Sequence, residues 1–176
     1  GNQNKYMIDL EVVNPSPVAA NSPIQVSNIY GGNNLGGSTG PTKIIVNSGT
    51  INDIYGGGNK AIAGTTNVVV RFANVKNIFG GGKAATVEGN TFLDIDNCTL
   101  NTNVFGGGDE GMVTGNTEVF VTNSAIKGSL YAGGNGASAI VSGNTSVTID
   151  GLTNIGNESS VAPFAGCVFG SGNAAA

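Results

Sequence analysis

The chain has 176 residues and a formal net charge of -4; 10% of its residues are charged and 30 are glycine. Typical domains have roughly 25% charged residues and about 7% glycine. With seven Lys and Arg in all, the chain lacks the basic footprint of a nucleic-acid-binding protein, and its apolar runs are too short to cross a bilayer. We therefore expect no nucleic-acid partner and no direct insertion into a membrane.

The N-terminal segment differs from the rest of the chain. Apolar and polar residues alternate from Tyr6 to Val12, which is typical of a strand, and three prolines at positions 15, 17 and 23 disfavour regular structure after it. We predict that residues 1–24 form a cap strand and a Pro-rich connector, which cover the first layer of the remaining structure.

From residue 25 onward the sequence repeats itself. An aliphatic-aromatic-glycine signal recurs with its aromatic residues 25, 24, 26, 26 and 38 positions apart. A threonine occurs 11 to 14 residues after each of the first five aromatics. A period near 25 is the signature of a solenoid, in which each repeat buries its apolar face against its neighbours. The threonines are Thr42, Thr66, Thr91, Thr117 and Thr145.

Each repeat contains three short extended segments, so we predict an all-β solenoid with three short strands per turn of about 25 residues and about six turns. In the first segment, Thr117 to Val121, Val119 and Val121 share an inward face while Glu118 points to solvent. The second segment leads into the aromatic residue. The third comes after the glycines, where Val113 aligns with Ile62, Val87 and Val141. The repeats occupy residues 25–176, with a loop insertion at 153–166.

These repeats resemble a known family. The Gly115-Asn116-Thr117 and Phe105-Gly106-Gly107-Gly108 motifs and their copies, over about residues 25 to 173, resemble right-handed parallel β-helices of the pectin-lyase-like group, and among them the repeats of bacterial surface proteins of adhesin type. The resemblance implies a right-handed coil and a secreted protein in an extracellular or cell-surface location. Members of the group also include polysaccharide lyases and hydrolases.

Catalytic and metal-binding patterns are weak. The chain has no His, and Arg71 is its only Arg, whereas lyase chemistry needs a positioned Arg or Lys beside acids such as Asp94. Gly107-Gly108-Asp109 is a single near match to a calcium-binding repeat, and a phosphate-binding loop needs a helix that this period excludes. We predict no enzyme activity, no catalytic residues, no metal site and no cofactor.

The cysteines and the polar columns have structural interpretations. Cys98 and Cys167 lie at different phases about two repeats apart, beyond the ~7 Å reach of a disulfide, so we predict two buried free thiols. The threonine column and the asparagines that precede it are expected to hydrogen-bond to backbone at the turns.

The recurring aromatic residues are the candidate ligand-binding residues. If Leu130 points inward, the adjacent ring points outward, and stacked layers present a flat strip of rings suited to the apolar faces of sugars. Alternatively, the rings stack on one another to cover the glycine-rich backbone, or lie inward at a widened corner. The residues of this ring column are Tyr30, Tyr55, Phe79, Phe105, Tyr131 and Phe169.

The sequence thus favours a non-catalytic, adhesin-like β-helix module of a bacterial surface, which binds a glycan or another extracellular matrix-like polymer. Two alternatives stay open: a polysaccharide-degrading enzyme of the β-helix type, and a structural spacer without a ligand. Because the sequence stops part-way through a repeat, we also expect either a longer array or end-to-end self-association.

Overall fold

The computed structural model describes residues 8–13, 24–156 and 166–173. The chain is all-β, and its parallel sheets stack as a β-solenoid of about five turns. The described residues contain no helix, hence none long and apolar enough to cross a bilayer. The predicted all-β solenoid is confirmed, whereas the predicted count of six turns is not, and the right-handed sense of the coil stays a prediction.

Two parallel sheets run along the coil. Sheet 1 consists of β1 (Ile8–Val12), β3 (Thr42–Val46), β5 (Thr66–Arg71), β7 (Thr91–Asp96), β10 (Thr117–Thr122) and β13 (Thr145–Asp150). Sheet 2 consists of β2 (Gln25–Tyr30), β4 (Gly49–Tyr55), β6 (Ala73–Phe79), β8 (Thr99–Leu100), β9 (Val104–Phe105), β11 (Ala125–Ile126), β12 (Leu130–Tyr131), β14 (Asn154–Ile155) and β15 (Val168–Phe169).

Sheet 1 forms where every second residue is a threonine or an aliphatic residue that faces the core. Strands β5 and β7 pair in register, with Val68 opposite Leu93 and Val70 opposite Ile95, and all four side chains are completely buried. Because every layer repeats this register, equivalent residues form continuous columns, and the predicted inward columns are confirmed in the interior of the stack. In β13, at the last layer, Ile149 is instead 42% exposed.

The third predicted segment is weaker than a strand. It consists of isolated parallel bridges, such as Ala63 to Val87 and Val87 to Val113, which bury a small apolar cluster. Ala63, rather than Ile62, is the buried partner of Val87, and Ile62 is 38% exposed. The expected alignment of Ile62 with Val87 is therefore wrong by one residue, because the connection from Ala63 to Thr66 is one residue shorter than the equivalent connection from Val87 to Thr91.

At both ends of the coil, strands continue the two sheets. β1 pairs with β3, so the predicted N-terminal strand extends sheet 1 by one layer. The insertion predicted at 153–166 falls mostly on residues outside the described ranges. Its first part is regular structure, because β14 pairs with β11 and continues sheet 2.

The core lies between the two sheets and contains the fully buried aliphatic side chains of both. Cys98 belongs to this core at 4% exposure, and both cysteines are free. Cys167 is only half-buried, so the prediction of two buried thiols is correct for Cys98 and wrong for Cys167.

Candidate ligand-binding surfaces

The ring column is a continuous stack. Successive ring centroids from Tyr30 to Phe169 are 4.8 to 5.0 Å apart, and successive rings lie within 3 to 9° of parallel. The four interior rings are between 2% and 7% exposed, while Tyr30 and Phe169 at the two ends are half-buried. The interior rings therefore cover one another's faces.

Of the two alternatives that the sequence leaves open, the one in which the rings stack on one another is confirmed, and the open strip of outward rings is wrong for the four interior rings. That hypothesis takes burial to alternate through the aromatic residue, but each strand that carries an interior ring ends with two adjacent buried side chains, whether it is seven residues long (β4, β6) or two (β9, β12). Val104 and Phe105 are consequently both buried, at 0% and 2% exposure. A ligand-binding role for the column stays a prediction, and the accessible ring surface for it lies at the two end rings.

The glycine after each ring allows the layers to approach closely. A Cβ on Gly80 would lie 2.3 Å from the carbonyl oxygen of Gly106, which no side chain tolerates. That carbonyl points into the coil, where Thr91 Oγ1 donates a hydrogen bond to it at 2.6 Å. The aromatic-glycine motif and the threonine are thus parts of one corner.

The threonine column repeats this bond along the coil. Thr42, Thr66 and Thr117 donate to the equivalent carbonyls of Gly56, Gly80 and Ala132 at 2.5 to 2.6 Å. The last member, Thr145, donates to Gly170. The prediction that this column bonds to backbone is confirmed, which identifies it as part of the folding core and removes it from the candidate binding residues.

Polar side chains also line the edge of the ring column. Lys83 Nζ lies 5.9 Å from the centroid of the Tyr55 ring. Burial, the carboxylate charges of Asp53 and Asp109 and a hydrogen bond with Asp109 raise the pKa of Tyr55 well above its ordinary value. Tyr55 therefore stays protonated at physiological pH and supplies no base.

The outer face of sheet 1 carries accessible apolar groups that sequence reasoning did not single out. Ile45, Val69, Phe92 and Phe120 point away from the core and are half-buried. The rings of Phe92 and Phe120, from adjacent layers, lie 5.5 Å apart at an angle of 40°. The sequence signal for this surface is an aromatic residue at a solvent-facing position of a strand. That Phe92 and Phe120 contact each other follows only from the register of β7 and β10.

A charged cluster lies beside these rings. Arg71 Nη2 donates to Asp94 Oδ2 at 2.5 Å, and its Nε lies 3.9 Å from Asp96 Oδ2. Arg71 Nη1 also donates to the carbonyl oxygens of Val70 and Asp94 at 3.1 and 3.0 Å. All three ionic side chains are about one quarter exposed. The fold thus positions the only Arg beside two acids, which spacing alone did not predict.

The outer face of sheet 1 is acidic as a whole. The register places six carboxylates on it and two cationic side chains. The face therefore carries an excess of negative charge, and a polyanion approaching it would be repelled. The carboxylates are Asp9, Glu11, Asp94, Asp96, Glu118 and Asp150, and the cations are Lys43 and Arg71.

The cavity at the C-terminal end of the stack offers little chemistry. Its volume is about 320 Å³, and it is lined by glycine, alanine, aliphatic and hydroxyl residues between Gly133 and Gly172, with no ionisable side chain among the described residues that line it. Within the described ranges, no three His, Cys, Asp or Glu side chains are grouped as metal ligands.

Comparison with protein-family models, with curated proteins and with solved structures finds no match to this chain. The class of protein is therefore defined by its own geometry, as a parallel β-solenoid.

Proposed function

We propose that this chain is a non-catalytic, adhesin-like module of a secreted bacterial surface protein, and that it binds an extracellular glycan through the flank of the coil. The observation that carries the proposal is the outer face of sheet 1, where the Phe92 and Phe120 rings lie partly open to solvent on a rigid sheet. Aromatic faces supply a large apolar surface at low entropic cost and suit the apolar faces of sugar rings.

Rigidity supports this role. The strands beneath the two rings are paired on both sides, and the side chains that alternate with the rings are fully buried. A ligand would meet a surface that is already ordered, which lowers the entropic cost of binding. The interior rings of the ring column are equally ordered but are buried, so they offer a ligand no accessible surface.

The enzyme alternative has one observation in its favour, the Arg71, Asp94 and Asp96 cluster. Its geometry argues for a structural role, because Arg71 is engaged by a carboxylate and two backbone carbonyls at once. The acidic face also opposes the binding of polyuronates, the substrates of lyases in the resembled group. We therefore propose binding without turnover. Release of sugar products from any glycan, lost in Asp94→Asn, would overturn this.

A binding experiment tests the proposed function. The double variant Phe92→Ser and Phe120→Thr introduces the residues that β13 carries in the same columns, Ser146 and Thr148, so the fold is expected to survive. Binding to a glycan array should fall by roughly tenfold or more, since each ring contributes about 1 kcal/mol beyond its buried area.

The matched control is Asn52→Ser with Lys76→Thr, which makes the same new residues at exposed positions of sheet 2. This control should bind as the unmodified chain does. An array on which the unmodified chain binds nothing would favour the spacer interpretation, and equal loss of binding in both double variants would remove sheet 1 as the binding face.

A further inference from the structure

The corner that follows each strand of sheet 1 contains one residue, Phe72, whose type does not suit its backbone conformation. In successive layers the corner residue has a left-handed backbone: φ is 51° at Phe72, 54° at Asn97, 47° at Asn123 and 62° at Gly151. Asn and Gly reach this conformation at little cost, whereas a bulky aromatic residue there is a genuine outlier. The neighbouring layers show that Asn is the residue this corner favours.

Folding does not explain why Phe72 occupies the corner. Its side chain is 67% exposed, and among the described residues its ring belongs to no aromatic pair. Its backbone N–H donates a hydrogen bond to the carbonyl oxygen of Asp96 at 3.3 Å. The backbone N–H of Asn97 makes the equivalent bond to the carbonyl oxygen of Thr122 at 3.2 Å, so this bond does not require a phenylalanine. Strained residues that add nothing to packing are concentrated at binding sites.

Polar groups are fixed next to this exposed ring. Arg71 precedes it and is held by Asp94. Asp96 and Asn97 occupy the neighbouring layer, about 4.8 Å along the coil, and Asn123 Nδ2 donates to Asp96 Oδ1 at 3.3 Å. An exposed ring beside a carboxylate that Arg71 and Asn123 orient, with the amide of Asn97 next to it in the chain, can stack on the apolar face of a sugar while the polar groups bond to its hydroxyls.

We infer that Phe72, together with Asp96 and Asn97, forms a subsite for one neutral sugar residue at the edge of sheet 1. The inference rests on the proposed function and makes it specific, because it names both the anchoring residue and the class of glycan. A neutral sugar is favoured since Arg71 is already paired with two acids, which leaves this edge with a net negative charge. A uronate or sulfated chain would be repelled there.

The test is the variant Phe72→Asn, which copies the residue of the next two layers. Its matched control is Ile62→Asn, which removes an apolar residue of 38% exposure from the third segment by the same substitution. The probes are an array of neutral oligosaccharides, comprising glucans, mannans, galactans and xylans, and a parallel array of polyuronates. Thermal unfolding of each variant reports whether the fold is intact.

We expect the unmodified chain and Ile62→Asn to bind the same neutral glycan, and Phe72→Asn to bind it roughly tenfold more weakly with an unchanged or higher unfolding temperature. Unchanged binding by Phe72→Asn, with loss in the Phe92 and Phe120 double variant, would overturn the subsite and leave the proposed function standing. Preferential binding of polyuronates would overturn the choice of a neutral sugar. Binding to neither array would overturn the proposed function itself.

Discussion

At the scale of single residues, the corners carry the most specific chemistry of this chain. The carbonyl after each aromatic residue points into the coil, where a threonine hydroxyl satisfies it, as Thr91 does for Gly106. A buried carbonyl without a partner is costly, so the threonine is fixed by the same constraint that fixes the glycine.

Replacement of Thr91 by Val keeps the shape of the side chain and removes the donor. Because Thr91 is 1% exposed, we expect the free energy of unfolding to fall by about 1–3 kcal/mol. Urea denaturation measures the change. Thr50→Val, at an exposed position of β4, is the control and should have almost no effect. A similar, small effect of both substitutions would mean that the hydroxyl bond contributes nothing.

Phe72 also makes a prediction about stability that is independent of any ligand. Phe72→Asn relieves a left-handed aromatic residue and should raise the free energy of unfolding by about 1 kcal/mol. The reverse exchange, Asn97→Phe, places the same strain one layer further on and should lower it by a similar amount. Thermal unfolding of the two variants tests this prediction. If both unfolding temperatures equal that of the unmodified chain, the corner does not depend on residue type and the prediction is wrong.

Cys98 should make stability fall at high pH. Burial raises the pKa of its thiol from an ordinary 9.0 to about 11. As the pH rises through this interval, the unfolded chain loses the proton first, so the unfolded state is favoured and the free energy of unfolding decreases. In urea denaturation at pH 8 and pH 10, Cys98→Ala should show a smaller decrease than the unmodified chain. Equal decreases would contradict a protected thiol.

At the scale of elements, the ring column shows where sequence reasoning succeeds and where it stops. The strands of sheet 1 are five or six residues long, so the parity of Val68 and Val70 could be predicted from alternation alone. Alternation stops at the aromatic residue, because Ile54 and Tyr55 at the end of the seven-residue strand β4 are both buried, as are Val104 and Phe105 in the two-residue strand β9. The direction of the rings therefore depended on the corner geometry.

The column should behave as packed core in its interior and as surface at its N-terminal end. Phe79→Ala removes a ring that is 4% exposed and stacked on both faces, and we expect a loss of about 3–5 kcal/mol. Tyr30→Ala removes a half-buried ring stacked on Tyr55 and should cost roughly 1–2 kcal/mol. Equal costs in denaturation experiments would mean that the rings do not depend on their neighbours.

At the scale of the whole molecule, one register connects every layer, so residues distant in sequence form continuous columns. The period and the inward columns could be predicted because they recur once per turn. The Phe92 and Phe120 pair and the Arg71 and Asp94 ion pair lie on diagonals between adjacent layers. Such contacts depend on the register and on the reach of each side chain, which residue spacings alone do not specify.

The proposed binding face results from this organisation. Interior columns are satisfied by their own neighbours, while the outer face of sheet 1 and its Phe72 corner retain accessible rings beside fixed polar groups. We therefore propose that a glycan binds on the flank of the coil.

The most direct test of this claim is to map, by NMR chemical-shift perturbation, where a neutral oligosaccharide selected from the array contacts the protein. Binding on the flank predicts shifts concentrated on the outward residues of β5, β7 and β10 and on the corner at Phe72. Shifts confined to the ends of the ring column, or to sheet 2, would contradict it.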